Sequence, residues 1–227
     1  PLPWPKVYDS PVFCIRNRLL ALAYRVLGLT ALIWGLVAIY PHYVDFYAYI
    51  VFFSVEVGIF YAIVLFSSTI ANLVDLRHGV RGIAASSVAS LGLAAKAYAI
   101  VGGIVGFAYM APKLGFKDPW DYAFYAMLIV IPIIEWVFFE NKGKLHFFSS
   151  WTWMIYPLFY VIFCWFRAII WPSAALVGTE MYPLFWMSFN DEFFFLWLFV
   201  SGVALYAFFL LIVFFDNLMG GKYRRRY

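Results

Sequence analysis

The sequence predicts an all-α, polytopic membrane protein with six transmembrane helices and both termini in the cytoplasm. Of its 227 residues, 66% are hydrophobic and only 12% are charged, and the mean hydropathy is +0.86. A soluble domain contains about 45–50% apolar residues, so 16 basic and 12 acidic side chains are too few to cover a globule of this size. This composition excludes a soluble enzyme, a disordered chain, a secreted disulfide scaffold and a nucleic-acid-binding protein.

Six continuous apolar runs are long enough to cross a bilayer. A spanning helix needs about 20 apolar residues, because it rises about 1.5 Å per residue across a hydrocarbon core of roughly 30 Å. A transmembrane barrel is excluded, because its strands are about half as long and alternate in polarity. The chain is therefore interpreted as one transmembrane domain, 1–227, with spans at approximately 19–40, 46–73, 83–111, 120–139, 151–171 and 193–215.

The basic residues predict the orientation, since loops rich in Lys and Arg stay in the cytoplasm. Eleven of them fall on one side of the predicted spans: Lys6, Arg16, Arg18, Arg77, Arg81, Lys142, Lys144, Lys222, Arg224, Arg225 and Arg226. The other side carries three basic residues and a group of acidic ones: Lys113, Lys117 and Arg167, with Asp45, Asp118, Asp121, Glu180, Asp191 and Glu192. Of the basic residues, Arg224, Arg225 and Arg226 can also contact anionic lipid headgroups, although the pattern favours a topology anchor.

The third and sixth spans differ most in side-chain size. The third is rich in Gly, Ala and Ser, and small residues let helices in a membrane approach closely. It is expected in the centre of the bundle, with Gly102 and Gly106 as a helix-packing pair that favours contact within the chain over a dimer interface. The sixth carries large aromatic side chains all round, which suits contact with lipid or with a partner protein.

Two charges lie deep within predicted spans, and a charge at that depth needs a partner or a purpose. Glu56 in the second span and Lys96 in the third are offset by about 8 Å, which the lysine side chain can cover. They are expected to form an ion pair that is either a structural bridge, which is favoured, or part of a proton or ion relay. The other charges are expected near span ends, within reach of water or headgroups: Arg25, Asp121, Glu135 and Arg167.

No set of residues for catalysis or metal binding emerges from the sequence. His42, His78 and His146 all fall in interfacial loops, with His42 on the opposite side from the other two. Cys14 and Cys164 form no ligand or disulfide pattern. These observations predict no metal site and no cofactor.

Several motifs in order along nearly the whole chain resemble the androgen-induced-protein family of six-helix membrane proteins, in particular its bacterial relatives. Each motif alone is common in apolar sequences, so their order and spacing carry the resemblance. They are Asn17-Arg18-Leu19-Leu20, Phe52-Phe53-Ser54, Val80-Arg81-Gly82, Trp120-Asp121, Glu135-Trp136-Val137-Phe138-Phe139, Asn141-Lys142-Gly143-Lys144-Leu145, Trp153 with Tyr156-Pro157-Leu158-Phe159-Tyr160, and Met181-Tyr182-Pro183-Leu184-Phe185.

The resemblance implies a six-helix fold, in which the animal members use a Thr in the second helix and a His in the fourth to hydrolyse esters of branched fatty acids. The matching positions here are Val57 and Tyr125. Lys96 stands where bacterial relatives often have a second His. The family's catalytic pair is therefore absent from the sequence, and the resemblance supports the fold more than the activity.

The sequence favours a non-catalytic membrane protein that acts through lipid and protein contacts in the bilayer. It is interpreted as an accessory or structural subunit of a larger complex, with membrane lipids and other membrane subunits as partners, in the inner membrane of a bacterium. An intramembrane lipid-ester hydrolase with a rearranged site is the alternative. A small proton-coupled transporter using Glu56 and Lys96 is the third hypothesis.

Overall fold

The computed structural model describes residues 14–43, 45–86, 89–143, 145–171, 181–184, 187–188 and 191–220. Helices make up most of this part of the chain. In chain order they are α1 (Arg18–Ile39), α2 (Phe46–Val51), α3 (Phe53–Asp75), α4 (Ala89–Val105), α5 (Ala111–Lys113), α6 (Ala123–Phe139), α7 (Ser149–Trp153), α8 (Ile155–Ile170) and α9 (Phe194–Met219). A π-helical stretch, Gly106–Met110, joins α4 to α5.

Five helical segments of the described chain are long and apolar enough to cross a membrane. They are Arg18–His42, Phe53–His78, Ala89–Lys113, Ser149–Ile170 and Phe194–Met219. The prediction of a helical integral membrane protein is thus confirmed. The predicted fourth span corresponds to α6, a shorter apolar helix of 17 residues, which is about 25 Å long.

Two predicted spans are not helical over their whole length in the structure. The run 46–73 is interrupted at Phe52, whose backbone is extended (φ −73°, ψ 129°), so that α2 ends before α3 starts. The side chain of Asp45 accepts a hydrogen bond from the Ala48 amide and caps α2, as expected of an N-cap aspartate. In the run 83–111, residues 83–86 are not helical, and α4 is described from Ala89 onwards.

The third predicted span lies in the centre of the bundle, as expected. In the most apolar stretch of the segment that contains α4, 67% of the residues are buried, against 17% for α9. α4 packs against α3 and α6, and α1 packs against the same two helices. These four helices form the core, which we call the four-helix core.

The glycines of α4 and its π-helical extension set how closely the core helices approach. A Cβ atom on Gly102 would overlap Val57 of α3, and one on Gly106 would overlap the ring of Tyr125 of α6. A Cβ on Gly103 would lie 2.8 Å from the Tyr125 carbonyl oxygen. Both residues of the Gly102/Gly106 pair therefore contact neighbouring helices of the same chain.

Hydrogen bonds from long side chains attach α7, α8 and α9 to the four-helix core. Tyr98 donates to the Trp153 carbonyl oxygen (2.7 Å), and Tyr156 of α8 donates to the Glu56 carboxylate of α3 (2.9 Å). Tyr160 of α8 donates to the Val51 carbonyl oxygen of α2 (2.9 Å). The carboxylate of Asp216, near the C-terminal end of α9, accepts a hydrogen bond from the indole N–H of Trp136 (3.1 Å). The remainder of α9 exposes the large apolar side chains that its sequence predicts, including Phe195 and Phe199.

We expect Gly106→Ala to destabilise the protein by about 1–3 kcal/mol, because the added methyl group overlaps the Tyr125 ring and α4 cannot separate from α6 without losing other contacts. The measurement is the thermal unfolding midpoint of the purified protein in detergent. Gly202→Ala is the matched control, because a Cβ on Gly202 meets no atom within 4 Å. Equal midpoints for the two variants would contradict this account of the core.

Candidate functional site

Four charged side chains meet inside the four-helix core, and we call them the buried charge cluster: Arg25, Lys96, Glu135 and Glu140. Arg25 Nε donates to Glu135 Oε1 at 2.9 Å. Lys96 Nζ lies 3.0 Å from Glu135 Oε2 and 2.9 Å from Glu140 Oε1. Glu135 thus bridges two cations, and Lys96 bridges two carboxylates.

Neutral groups also contact these charges, although Arg25 Nη2 is buried without a hydrogen-bond partner among the described residues. The hydroxyl of Tyr61 donates to Glu135 Oε2 at 3.0 Å, and Lys96 Nζ lies 5.7 Å from the centre of the Tyr61 ring. The guanidinium of Arg25 also donates to the backbone oxygens of Ser68 (2.9 Å) and Ala85. The cluster therefore links α1, α3, α4 and α6 with the non-helical segment before α4.

Each charge reaches this point from the same end of the bundle. Arg25 is seven residues after the start of α1, and Lys96 is seven residues after the start of α4, which is about 10 Å. Glu135 lies four residues before the end of α6, and Glu140 follows that helix directly. We call this end, which also carries Arg18 and Lys142, the basic end of the bundle.

Three members of the cluster are fully buried, and the fourth, Glu140, has a side chain that is 10% exposed. The side chains of Arg25 and Glu135 are 0% exposed and that of Lys96 is 1% exposed. The prediction that Arg25 and Glu135 would be reached by water or headgroups is wrong, because neighbouring helices cover them. Two cations and two carboxylates give zero net charge, which reduces the large cost of removing each ion from water.

The predicted ion pair between Glu56 and Lys96 is not present. Lys96 contacts Glu135 and Glu140, whereas Glu56 accepts a hydrogen bond from the Tyr156 hydroxyl at 2.9 Å. The sequence placed the start of the third span at 83, but residues 83–86 are not helical in the structure. Lys96 therefore lies close to the basic end, whereas Glu56 lies in the first turn of α3, further from that end.

The two positions that match the catalytic residues of the resembled family are fully buried. Val57 and Tyr125 are both 0% exposed, and they fill the space left by Gly102 and Gly106. The Tyr125 hydroxyl lies 3.5 Å from that of Tyr43.

The Ser54 side chain on α3 is buried, and its hydroxyl has no hydrogen-bond partner among the described residues. Within the described residues no carboxylate or imidazole hydrogen-bonds to the hydroxyls of Ser54, Tyr43 or Tyr125. Hydrolysis by a serine needs an adjacent base, and the nearest polar groups here are tyrosines, which are neutral at physiological pH.

The loop after α6 carries two titratable side chains with altered proton affinity. Burial raises the pKa of the Glu140 carboxyl above its usual range, although the positive charge of Lys96 opposes the effect. Burial lowers the pKa of the Lys142 ammonium, which donates to the Val137 carbonyl oxygen at 2.7 Å. The neighbouring Gly143 amide donates to Asp216 at 2.9 Å and ties this loop to α9.

The remaining sequence predictions fall outside this cluster. His42 lies at the opposite end of the bundle, with its Nε2 atom 3.3 Å from Asp121. Within the described chain no group of three His, Cys, Asp or Glu residues could hold a metal ion. Arg224, Arg225 and Arg226 lie outside the described residues.

Comparison of the chain with protein-family models, with curated proteins and with solved structures finds no match. The resemblance to the androgen-induced-protein family therefore stays a prediction based on the sequence motifs. The function has to be argued from the geometry of this chain.

We expect Lys96→Met to destabilise the protein by about 3–5 kcal/mol, because it leaves one uncompensated negative charge in the core. The loss should be smaller at low pH. A carboxyl whose pKa is raised in the folded state binds a proton as the pH falls, and protonated Glu140 removes the excess charge. Unfolding followed across pH in detergent measures both effects.

Two further variants test whether charge balance is the cause. In Lys96→Met/Glu140→Gln the remaining Arg25–Glu135 pair is neutral, so the double variant should regain part of the stability lost in the single one. Lys117→Met removes a cation from an exposed position and should leave the midpoint unchanged. A double variant less stable than Lys96→Met would contradict the charge-balance account.

Proposed function

We propose that this chain is a six-span integral membrane protein without catalytic activity, acting through lipid and protein contacts in the plane of the bilayer. Its place is that of an accessory or structural subunit of a larger membrane complex. Membrane lipids and other membrane subunits are its partners, and the inner membrane of a bacterium is its location.

The observation that carries the proposal is the filling of the family's catalytic positions. Val57 and Tyr125 are buried against the glycines of the central helix, so an ester carbonyl has no room between them. The charged residues nearby supply no base to this place, because those of the buried charge cluster are engaged with one another at the basic end. This arrangement favours a structural role for the interior.

The packing of α6 supports the proposal that this helix also crosses the membrane, which brings the number of spans to six. It contacts α1 and α4 over most of its length, from Tyr125 beside Gly106 to Glu135 beside Lys96. α1 and α4 both belong to segments long enough to cross the membrane, and a helix packed between them crosses with them. An even number of spans with the basic end in the cytoplasm then puts both termini there.

The outer surface supports the assignment of partners. α9 exposes large apolar residues such as Phe195, Phe199 and Val203, and α1 exposes Leu27 and Val37. In a bilayer these side chains contact acyl chains or the helices of another subunit, without any rearrangement of the core.

The hydrolase hypothesis has one observation in its favour, the buried hydroxyl of Ser54, which lies on α3 three residues before Val57. In such a rearranged site Ser54 would be the nucleophile in place of the family's Thr. The proposed function is preferred, because the serine is buried and a base is absent from the contacts described above. The transport hypothesis required Glu56 and Lys96 to act together, and the structure separates them.

Purification in a mild detergent tests the proposal. We expect the chain to migrate with other membrane proteins in fixed stoichiometry, and to show neither labelling by a fluorophosphonate probe nor turnover of lipid esters. Labelling that disappears in Ser54→Ala, while Ser201→Ala on the partly exposed surface of α9 retains it, would contradict the proposal and support the hydrolase. Isolation as a single chain without stoichiometric partners would contradict the subunit role.

A further inference from the structure

Unlike Glu135, Glu56 has no cation beside it among the described residues. Its Oε2 atom accepts a hydrogen bond from the Tyr156 hydroxyl at 2.9 Å. The other titratable side chains near it on α8 are Tyr160 and Cys164. On α4 the nearest is Tyr98, whose ring contacts that of Tyr156. None of these groups can carry a positive charge.

The carboxylate of Glu56 lies deep in the bilayer. Glu56 belongs to the first turn of α3, but α2 precedes this turn, so the turn does not lie at the membrane surface. The next residue, Val57, packs on Gly102, near the middle of the spanning segment Ala89–Lys113. A charge at this depth is costly unless a cation or a proton neutralises it.

Aromatic rings surround this carboxylate. Phe53 and Phe60 flank Glu56 on one face of α3, because they are three residues before it and four residues after it. The centre of the Tyr156 ring lies 6.1 Å from that of Phe53, 6.0 Å from that of Phe60 and 5.0 Å from that of Tyr98. The faces of such rings attract cations. Rings also exclude water, which strengthens the attraction between a carboxylate and a cation.

Space is open on α9 at the level of this tyrosine. Ring pairs join α8 to α9 at two levels: Trp151 with Tyr206, and Trp165 with Phe194. Tyr156 on α8 and Gly202 on α9 both lie between these levels, and a Cβ atom on Gly202 would meet no atom within 4 Å. Leu198 and Leu205, one turn to either side, pack against the core. The face of α9 that carries Gly202 therefore points towards the bundle.

The surroundings of Glu56 select the kind of ligand that can reach it. The side chain is half-buried, and its exposed neighbours are apolar, Ile59 on α3 with Ile155 and Phe159 on α8. A ligand has to arrive through hydrocarbon, which disfavours strongly hydrated ions. A phosphate group would find no cation here among the described residues.

We propose that Glu56, within the rings of Phe53, Phe60 and Tyr156, binds a lipophilic organic cation that enters from the hydrocarbon of the bilayer. The ligand class is one ammonium or phosphonium charge surrounded by apolar groups. The charge lies at the carboxylate and the apolar groups contact the rings. A metal ion such as Ca²⁺ needs more oxygen ligands than this carboxylate and one hydroxyl supply. The site goes beyond the proposed subunit role and does not depend on it.

The test uses the full chain, purified in an uncharged detergent, and tetraphenylphosphonium as the probe. Equilibrium binding of the labelled probe is measured, with binding to empty micelles subtracted. We expect saturable binding by the unmodified chain and about tenfold weaker binding by Glu56→Gln, because the ion pair is lost without a change in side-chain size. Tetraphenylborate has the same shape and the opposite charge, and it should show no saturable binding.

Asp118→Asn is the matched control, because it removes an exposed acidic side chain and should bind the probe like the unmodified chain. Glu56→Asp keeps the charge and should bind more tightly than Glu56→Gln. Phe60→Leu removes one ring and should weaken binding about threefold. The thermal midpoint of each variant separates loss of the site from damage to the fold.

Three results would each overturn the proposal: no saturable binding by the unmodified chain, binding that is unchanged in Glu56→Gln, or equal binding of tetraphenylborate. The first result would mean that a proton neutralises Glu56. All three leave the subunit role untouched, because that role is tested by co-purifying proteins. Absence of stoichiometric partners would conversely contradict the subunit role and leave the cation site intact.

Discussion

The constraint on which this structure depends is that ions removed from water must be neutralised by one another. Arg25, Lys96, Glu135 and Glu140 satisfy it as a closed set, with each charged group contacting one of opposite sign. Because the four side chains come from α1, α4, α6 and the residue after α6, separating any of these helices would expose a charge to hydrocarbon. The cluster therefore fixes the mutual positions of the helices more strictly than apolar packing alone, which has little directional preference.

Close packing at the other end of α4 complements this electrostatic link. The backbone of α4 approaches α3 at Gly102 and α6 at Gly106, where larger residues would overlap Val57 and Tyr125. Ion pairs of Lys96 therefore fix α4 at the basic end, and close packing of its glycines fixes it towards the opposite end. The same contacts fill the positions that would be catalytic in the resembled family, so the close packing of the core and the absence of an open site have one physical cause.

The structure separates a tightly packed interior from a periphery joined by fewer polar contacts. α8 and α9 are attached by tyrosine hydroxyls and by the Asp216 carboxylate, and their outer faces are apolar. Glu56 lies at this boundary, on a core helix but facing α8. An interior without an open site and a periphery suited to lipid and protein contacts both favour a role in assembly over a chemical reaction.

The sequence by itself determined the helical membrane class, the central place of the third span and the exposed aromatic surface of the last one. These properties follow from hydrophobicity and side-chain size, which are local and can be read along the chain. Only the tertiary structure decided the partners of the charges. Glu135 and Arg25 are separated by 110 positions, and their pairing depends on which helix faces meet. The sequence also could not predict that residues 83–86 are non-helical, because their composition is compatible with a helix. In the structure the Ala85 carbonyl oxygen accepts a hydrogen bond from Arg25. That single difference moved Lys96 towards the basic end and away from Glu56.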